Sequence, residues 1–258
     1  MFNFIFSRKP LIDSETQQWL FSCVEWAIST FEQQYFTDHT ELILPTNKFY
    51  PGRVASVEQM ARTIFENTKS YCGLSNWPFM LKPFQYKTQQ QLPHLTITGS
   101  LRGEQSKVIA NDESSLIEVG YLAAQINQPQ DMIATYVQQF ASVLVLSAKV
   151  LPPGGKPMIQ QAIDVLACVM GFGVMFTNTA YQFKGGCGSC YNPRANRQVA
   201  LPENDMLYAL AIFCVLKNEH YKNVTPHLKK HLRSSYKKMF KQVQLLQSSS
   251  EKNILTIA

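Results

Sequence analysis

The stretch PQDMIATYVQQFASVLVLSAKVLPPGGKPMIQQAIDVLACVMGFGVMFTNTAYQF, Pro129 to Phe183, decides the fold. Pro129 stands at a helix-start position, and the chain from it to about Lys149 reads as one helix. Pro152-Pro-Gly-Gly155 makes a turn, and Pro157 opens a second helix to about Phe183, so the two form an αα-hairpin. Gly171 and Gly173 lie inside the second helix, without the lysine, hydroxyl residue and strand-to-helix setting of a phosphate loop. They are expected to allow close helix packing. Asp164 falls in an apolar run, and a buried carboxylate needs a partner, so a structural hydrogen bond is expected there.

Working outward, Ser14 and Gln17 have capping-box spacing, and Trp19, Cys23, Trp26 and Ala27 share one face of a helix predicted from about Asp13 to Phe36. Leu42 to Leu44 reads as a short strand or extended piece closed by Pro45, followed by a turn at Phe49-Tyr-Pro-Gly52. Ser56 and Gln59 begin another helix, with Ile64, Phe65 and Tyr71 apolar and Gly73 as its C′ residue. From Trp77 to Tyr121 the prolines Pro78, Pro83 and Pro93 break helices, and His94 to Thr98 and Lys107 to Ala110 alternate as strands do. The polar run Thr88 to Gln91 is a loop. Pro202 opens a helix to Leu216. Thr225-Pro226 opens a last helix with Leu228, Leu232, Tyr236, Met239 and Val243 as its stripe. The expected class is α+β, mostly helical, with a small sheet near 77 to 121. One domain is expected over 1–247, with a frayed tail at 248–258.

With 45% hydrophobic and 12% aromatic residues, the 258-residue chain can bury a substantial core. No apolar run approaches the ~20 residues that span a bilayer; the longest, Val165 to Phe176, has Asp164 at its start. The apolar N-terminus is followed, not preceded, by Arg8 and Lys9, the reverse of a secretory signal. A cytoplasmic protein with reduced thiols is therefore expected. The net charge of +6 is concentrated in residues 222–241, which hold seven cationic side chains and no acid, leaving the body of the chain near neutral.

Three segments carry a resemblance: Leu42-Ile-Leu-Pro-Thr-Asn-Lys-Phe-Tyr-Pro51, Ile163-Asp-Val-Leu-Ala-Cys-Val-Met-Gly-Phe-Gly-Val-Met-Phe-Thr-Asn178 and Leu201-Pro-Glu-Asn-Asp-Met-Leu-Tyr-Ala-Leu-Ala-Ile-Phe213. They resemble an uncharacterised bacterial family related to gluzincin zinc metallopeptidases, over roughly residues 15 to 240. The resemblance implies a zincin-like helical core, with a His-Glu-x-x-His motif before the hairpin turn and a Glu-x-x-x-Asp pattern after it. Carried onto this chain, the motif puts Gln138 at the first histidine, Gln139 at the glutamate, Ser142 at the second histidine and Gln160 at the third ligand. Asp164 matches the family aspartate.

Positions 138 and 142 share a helix face, yet zinc takes imidazole, thiolate or carboxylate, and amide or hydroxyl oxygens are poor substitutes. Gln139 does not titrate near neutral pH and so cannot serve as a base. No histidine lies between His94 and His220, so shifting the register by a turn restores nothing. The resemblance thus implies a catalytically inactive metallopeptidase-like protein, with no cofactor and no metal at this site. Its expected role is to bind a protein or peptide partner in the remnant cleft of Gln138, Gln139, Ser142 and Gln160.

Other readings stay open. A hydrolase with a different constellation would need perturbed acids or bases in a cleft, and the spacing of Asp112, Glu113 and Glu118 nominates no pair. Cys187-Gly-Ser-Cys190 has the spacing of half a structural zinc site or of a redox dithiol, and His227 and His231 are one helical turn apart. The gap between the two pairs is far longer than a zinc finger's, so an ordinary loop with two thiols is expected. The basic C-terminal helix could face nucleic acid or an acidic membrane. The expected arrangement instead packs its apolar stripe inward, leaves the lysines solvated and makes nucleic acid an unlikely partner.

Overall fold

The computed structural model of the protein describes residues 11–52, 56–84, 95–110, 116–180 and 198–249. The N-terminal ten residues, the polar loop at 88–91, Asp112 and Glu113, the loop with Cys187 and Cys190, and residues 250–258 lie outside them. The fold is α+β and mostly helical, as the sequence predicts.

At its centre are helices that are apolar nearly all round, the pattern of a core helix. Helix α4, Pro129–Ser147, begins at its proline; its residues from Met132 to Val137 and from Phe140 to Val145 are buried except for Thr135 and Ser142. The hairpin partner is α5, Ile159–Ala167, continued through a π-turn, Cys168–Phe172, into α6, Gly173–Thr179. Helix α7, Glu203–Leu216, is buried from Met206 to Cys214. Around these pack α1, Ser14–Thr30, α3, Val57–Tyr71, and α9, Arg233–Ser249. The hairpin turn is tied to α1 by the indole N–H of Trp19, which donates to Pro153 O at 3.0 Å, and by that of Trp26, which donates to Val150 O at 3.2 Å. The helical run Lys156–Thr179 has the length and apolarity to cross a membrane, and 83% of its apolar window lies buried inside the protein.

Gly171 departs from the expected plain helix packing. Its φ is 100°, its carbonyl accepts from Ile43 N at 2.9 Å, and a Cβ there would lie 2.2 Å from Glu41 O. Of the two readings of Leu42 to Leu44, a strand or an extended piece, the structure has the second: the segment belongs to no sheet and is bonded to a broken helix turn. Gly171→Ala combines a positive-φ penalty above ~1 kcal/mol with about 1–3 kcal/mol of overpacking against backbone. A loss of about 2–4 kcal/mol in a urea unfolding curve is expected.

The helix predicted to Phe36 also breaks. Asp13, not Ser14, caps α1 through Oδ1 to Thr16 N at 2.8 Å; Glu32 turns the chain with φ 71°, and α2 restarts at Gln33–Asp38. The reversal lets both Phe31 and Phe36 enter the core.

The predicted small sheet is two separate pairs. β1, Phe79–Pro83, runs parallel to β4, Ile117–Tyr121, and this pair rests on α4, while β2, Leu95–Thr98, pairs antiparallel with β3, Lys107–Ala110. The last basic segment is likewise not one helix. After the short α8, Tyr221–Val224, come two 3₁₀ turns, because Asn178 pins the chain between them: its Nδ2 donates to His227 O at 2.8 Å and its Oδ1 accepts from Lys229 N at 3.0 Å. α9 continues to Ser249, past the expected domain end.

Candidate functional site

The five residues that the resemblance singles out divide into three groups. Asp164 is fully buried on α5. Its Oδ2 accepts from the backbone N–H of Ala200 and of Leu201, each at 3.0 Å, and its Oδ1 accepts from Gln138 Nε2 at 3.2 Å. The carboxylate thus fastens the segment leading into α7 to the hairpin. Backbone N–H groups on a carboxylate are charge-assisted hydrogen bonds, roughly twice as strong as neutral ones.

Gln138 also donates from Nε2 to Gln198 O, and Ser142 donates to Gln138 O at 2.7 Å. In the hairpin, α5 runs back along α4. Since Asp164 stands against Gln138, Gln160 one turn earlier on α5 comes level with Ser142 one turn later on α4. Gln138 and Ser142 are half-buried and Gln160 is exposed, so these three positions form a patch above Asp164.

Gln139 belongs elsewhere. Its Oε1 accepts from Gly120 N at 2.8 Å, and its Nε2 donates to Gly120 O at 3.0 Å and Thr135 O at 3.2 Å. Gly120 is a residue of β4 whose backbone faces away from β1, so the side chain covers an otherwise unpaired strand edge. Only an amide both accepts from the N–H and donates to the C=O; a carboxylate here would set its oxygens against two carbonyls.

The donor set at 138, 142 and 160 is amide, hydroxyl and amide, which does not fit zinc. Among the described residues no group of three or more histidine, cysteine or acidic side chains could hold a metal ion. Cys23, Cys72, Cys168 and Cys214 are buried, and burial raises their thiols, Cys72 and Cys214 to about 12, far from the reactive range. Along the basic C-terminal segment, 3₁₀ turns and α9 together, the apolar residues Leu228, Leu232, Tyr236, Met239 and Val243 are buried and Lys229, Lys230, Lys237, Lys238 and Lys241 are exposed. His231 is paired with Glu203 at 2.9 Å.

Sequence reading missed Arg102. It lies in the wall of a polar pocket of about 610 Å³, between α2 and the loops at 73–76 and 100–105. Only 1% exposed, it donates from Nε to Cys72 O at 2.8 Å and from Nη2 to Thr40 Oγ1 at 3.5 Å, while Nη1 has no partner. The ring of Tyr35 covers the guanidinium at 4.9 Å. That ring lies on two glycines, where a Cβ at Gly73 would be 2.6 Å and at Gly103 2.7 Å from it. Burial pulls the pKa of Arg102 down. A lone arginine in a β-rich stretch gives no spacing signal, because what it meets comes from residues 30 to 67 positions away.

Scanned against protein-family models, curated proteins and solved structures, the chain matches none of them.

Proposed function

We propose that the protein is a non-hydrolytic, metallopeptidase-like binding protein that recognises a protein or peptide partner. One observation supports this above the others: the contact of Gln138 with Asp164. A zinc-bound histidine characteristically donates its second ring N–H to a carboxylate. Gln138 donates to Asp164 from the position where the resemblance places such a histidine. The carboxylate that would orient a ligand instead holds an amide and two backbone N–H groups, so it serves the fold. Gln139, at the position of the general base, is committed to β4 and has no titratable proton.

What remains for function is a patch of neutral hydrogen-bonding groups, suited to peptide backbone and not to bond cleavage. The test is elemental analysis of the purified protein together with a broad peptidase assay in added zinc. The expected result is no zinc held by the α4–α5 patch and no hydrolysis. Zinc-dependent turnover abolished by Gln138→Ala would overturn the reading.

A further inference from the structure

We propose that the pocket walled by Arg102 is a binding site for a basic α-amino acid, either free or as the C-terminal residue of a peptide. The argument begins from the unpaired Nη1. Glu32 acts on the guanidinium only through space, and a buried guanidinium with no carboxylate bonded to it is costly, so a fold that keeps one has a use for an anion at that point. Arg102 has two of its nitrogens occupied by neutral oxygens, so a carboxylate arriving at Nη1 would supply the missing acceptor as a charge-assisted hydrogen bond.

The rest of the wall decides which anion. Glu32 and Glu104 also line the pocket, and neither forms an ion pair among the described residues. One cation and two carboxylates oppose a phosphate, which would bring two negative charges to a wall that is already net negative. They complement a ligand that brings one carboxylate and at least one cationic group: free arginine or lysine carries two cations, and a C-terminal arginine or lysine of a peptide carries one.

The volume of about 610 Å³ is within the range of small-molecule sites. Glu32 is held at φ 71°, a backbone state that costs a non-glycine residue energy and is concentrated at ligand sites. Tyr35 is the cover. Among the described residues its hydroxyl makes no hydrogen bond, and its ring lies over the guanidinium and against Gly73 and Gly103, so turning it aside to admit a ligand gives up the cation–π contact but no hydrogen bond. The site is separate from the α4–α5 patch, so it stands or falls independently of the non-hydrolytic reading.

The experiment is calorimetric titration of the full chain with L-arginine, L-argininamide, inorganic phosphate, and a hexapeptide ending in arginine with a free or an amidated C-terminus. L-Arginine or the free-acid peptide is expected to bind, with the amidated counterpart at least tenfold weaker and no heat from phosphate. Binding by L-arginine but not the peptide assigns the free amino acid; binding by the peptide with higher affinity assigns the chain terminus.

Arg102→Met should abolish binding. Should that variant fail to fold, Glu104→Gln, at an exposed position, and Glu32→Gly, which relieves the positive φ, carry the test. Each should weaken L-arginine about five- to tenfold, with Glu32→Gly keeping or raising Tm. Absence of binding by either carboxylate probe, equal affinity for L-argininamide, preference for phosphate, or affinity unchanged in Glu104→Gln and Glu32→Gly overturns the proposal.

Discussion

Asp164→Ala is expected to destabilise the protein by about 2–6 kcal/mol, the cost of leaving two buried backbone amides without their acceptor. Three donors lose their acceptor together: Gln138 Nε2, Ala200 N and Leu201 N. Each buried unsatisfied group costs about 1–3 kcal/mol. Gln138 retains Gln198 O, so most of the cost falls on the two backbone amides, whose positions are fixed by the start of α7. Asp164→Asn should lose less, because one oxygen remains an acceptor, although its NH2 would then face a donor. Gln160→Ala, at an exposed position, should stay within ~0.5 kcal/mol. Urea midpoints for the three variants check this order. A loss below about 1 kcal/mol for Asp164→Ala would mean that the carboxylate does not hold the segment before α7.

The second large effect is a gain. Gln138→His, Ser142→His and Gln160→Glu, made together, are expected to take up one zinc per chain where the wild type takes none at these positions. Zinc a hundredfold above its Kd would raise stability by about 2.7 kcal/mol. The reason is the hairpin register: 138 and 142 lie one turn apart on α4, 160 comes level with them on α5, and Asp164 waits beneath to receive the ring N–H of a histidine at 138. Gln139 is left alone in this variant, since a glutamate there would lose the donations to Gly120 O and Thr135 O. Hydrolysis should stay absent for want of a base. Elemental analysis and thermal melts with and without zinc make the measurement. A folded variant that binds no zinc would show that the three positions do not converge, and the peptidase-like reading would go with them.

Much of the helical architecture was legible because local rules act over one or two turns. The proline that begins α4, the serine that caps α3 through Ser56 Oγ to Gln59 N, and the stripe from Leu228 to Val243 are each carried by residues within a few positions of one another. The misplaced elements have the opposite character. Leu42 to Leu44 reads as a strand or an extended piece because it is short and apolar, and what decides between them is its partner, Gly171, 128 positions beyond Ile43. Glu32 breaks a helix whose periodicity continues through it, because burying both Phe31 and Phe36 outweighs local propensity. Asn178 divides the basic segment from a distance of some fifty residues.

The candidate sites divide along the same line. That the chain lacks imidazole and carboxylate at 138, 142 and 160 is a property of the sequence, because it depends only on which atoms those side chains carry. That Asp164 would be buried and hydrogen-bonded also followed from its apolar surroundings. Which groups it binds, that Gln139 turns to β4 while Gln138 turns to Asp164, and that Arg102 is enclosed on a pocket wall shared with Glu32 and Glu104 were decided only by the tertiary structure. Sequence fixes the donors and acceptors a side chain can offer; the folded packing alone brings distant segments within the ~3 Å at which such groups interact.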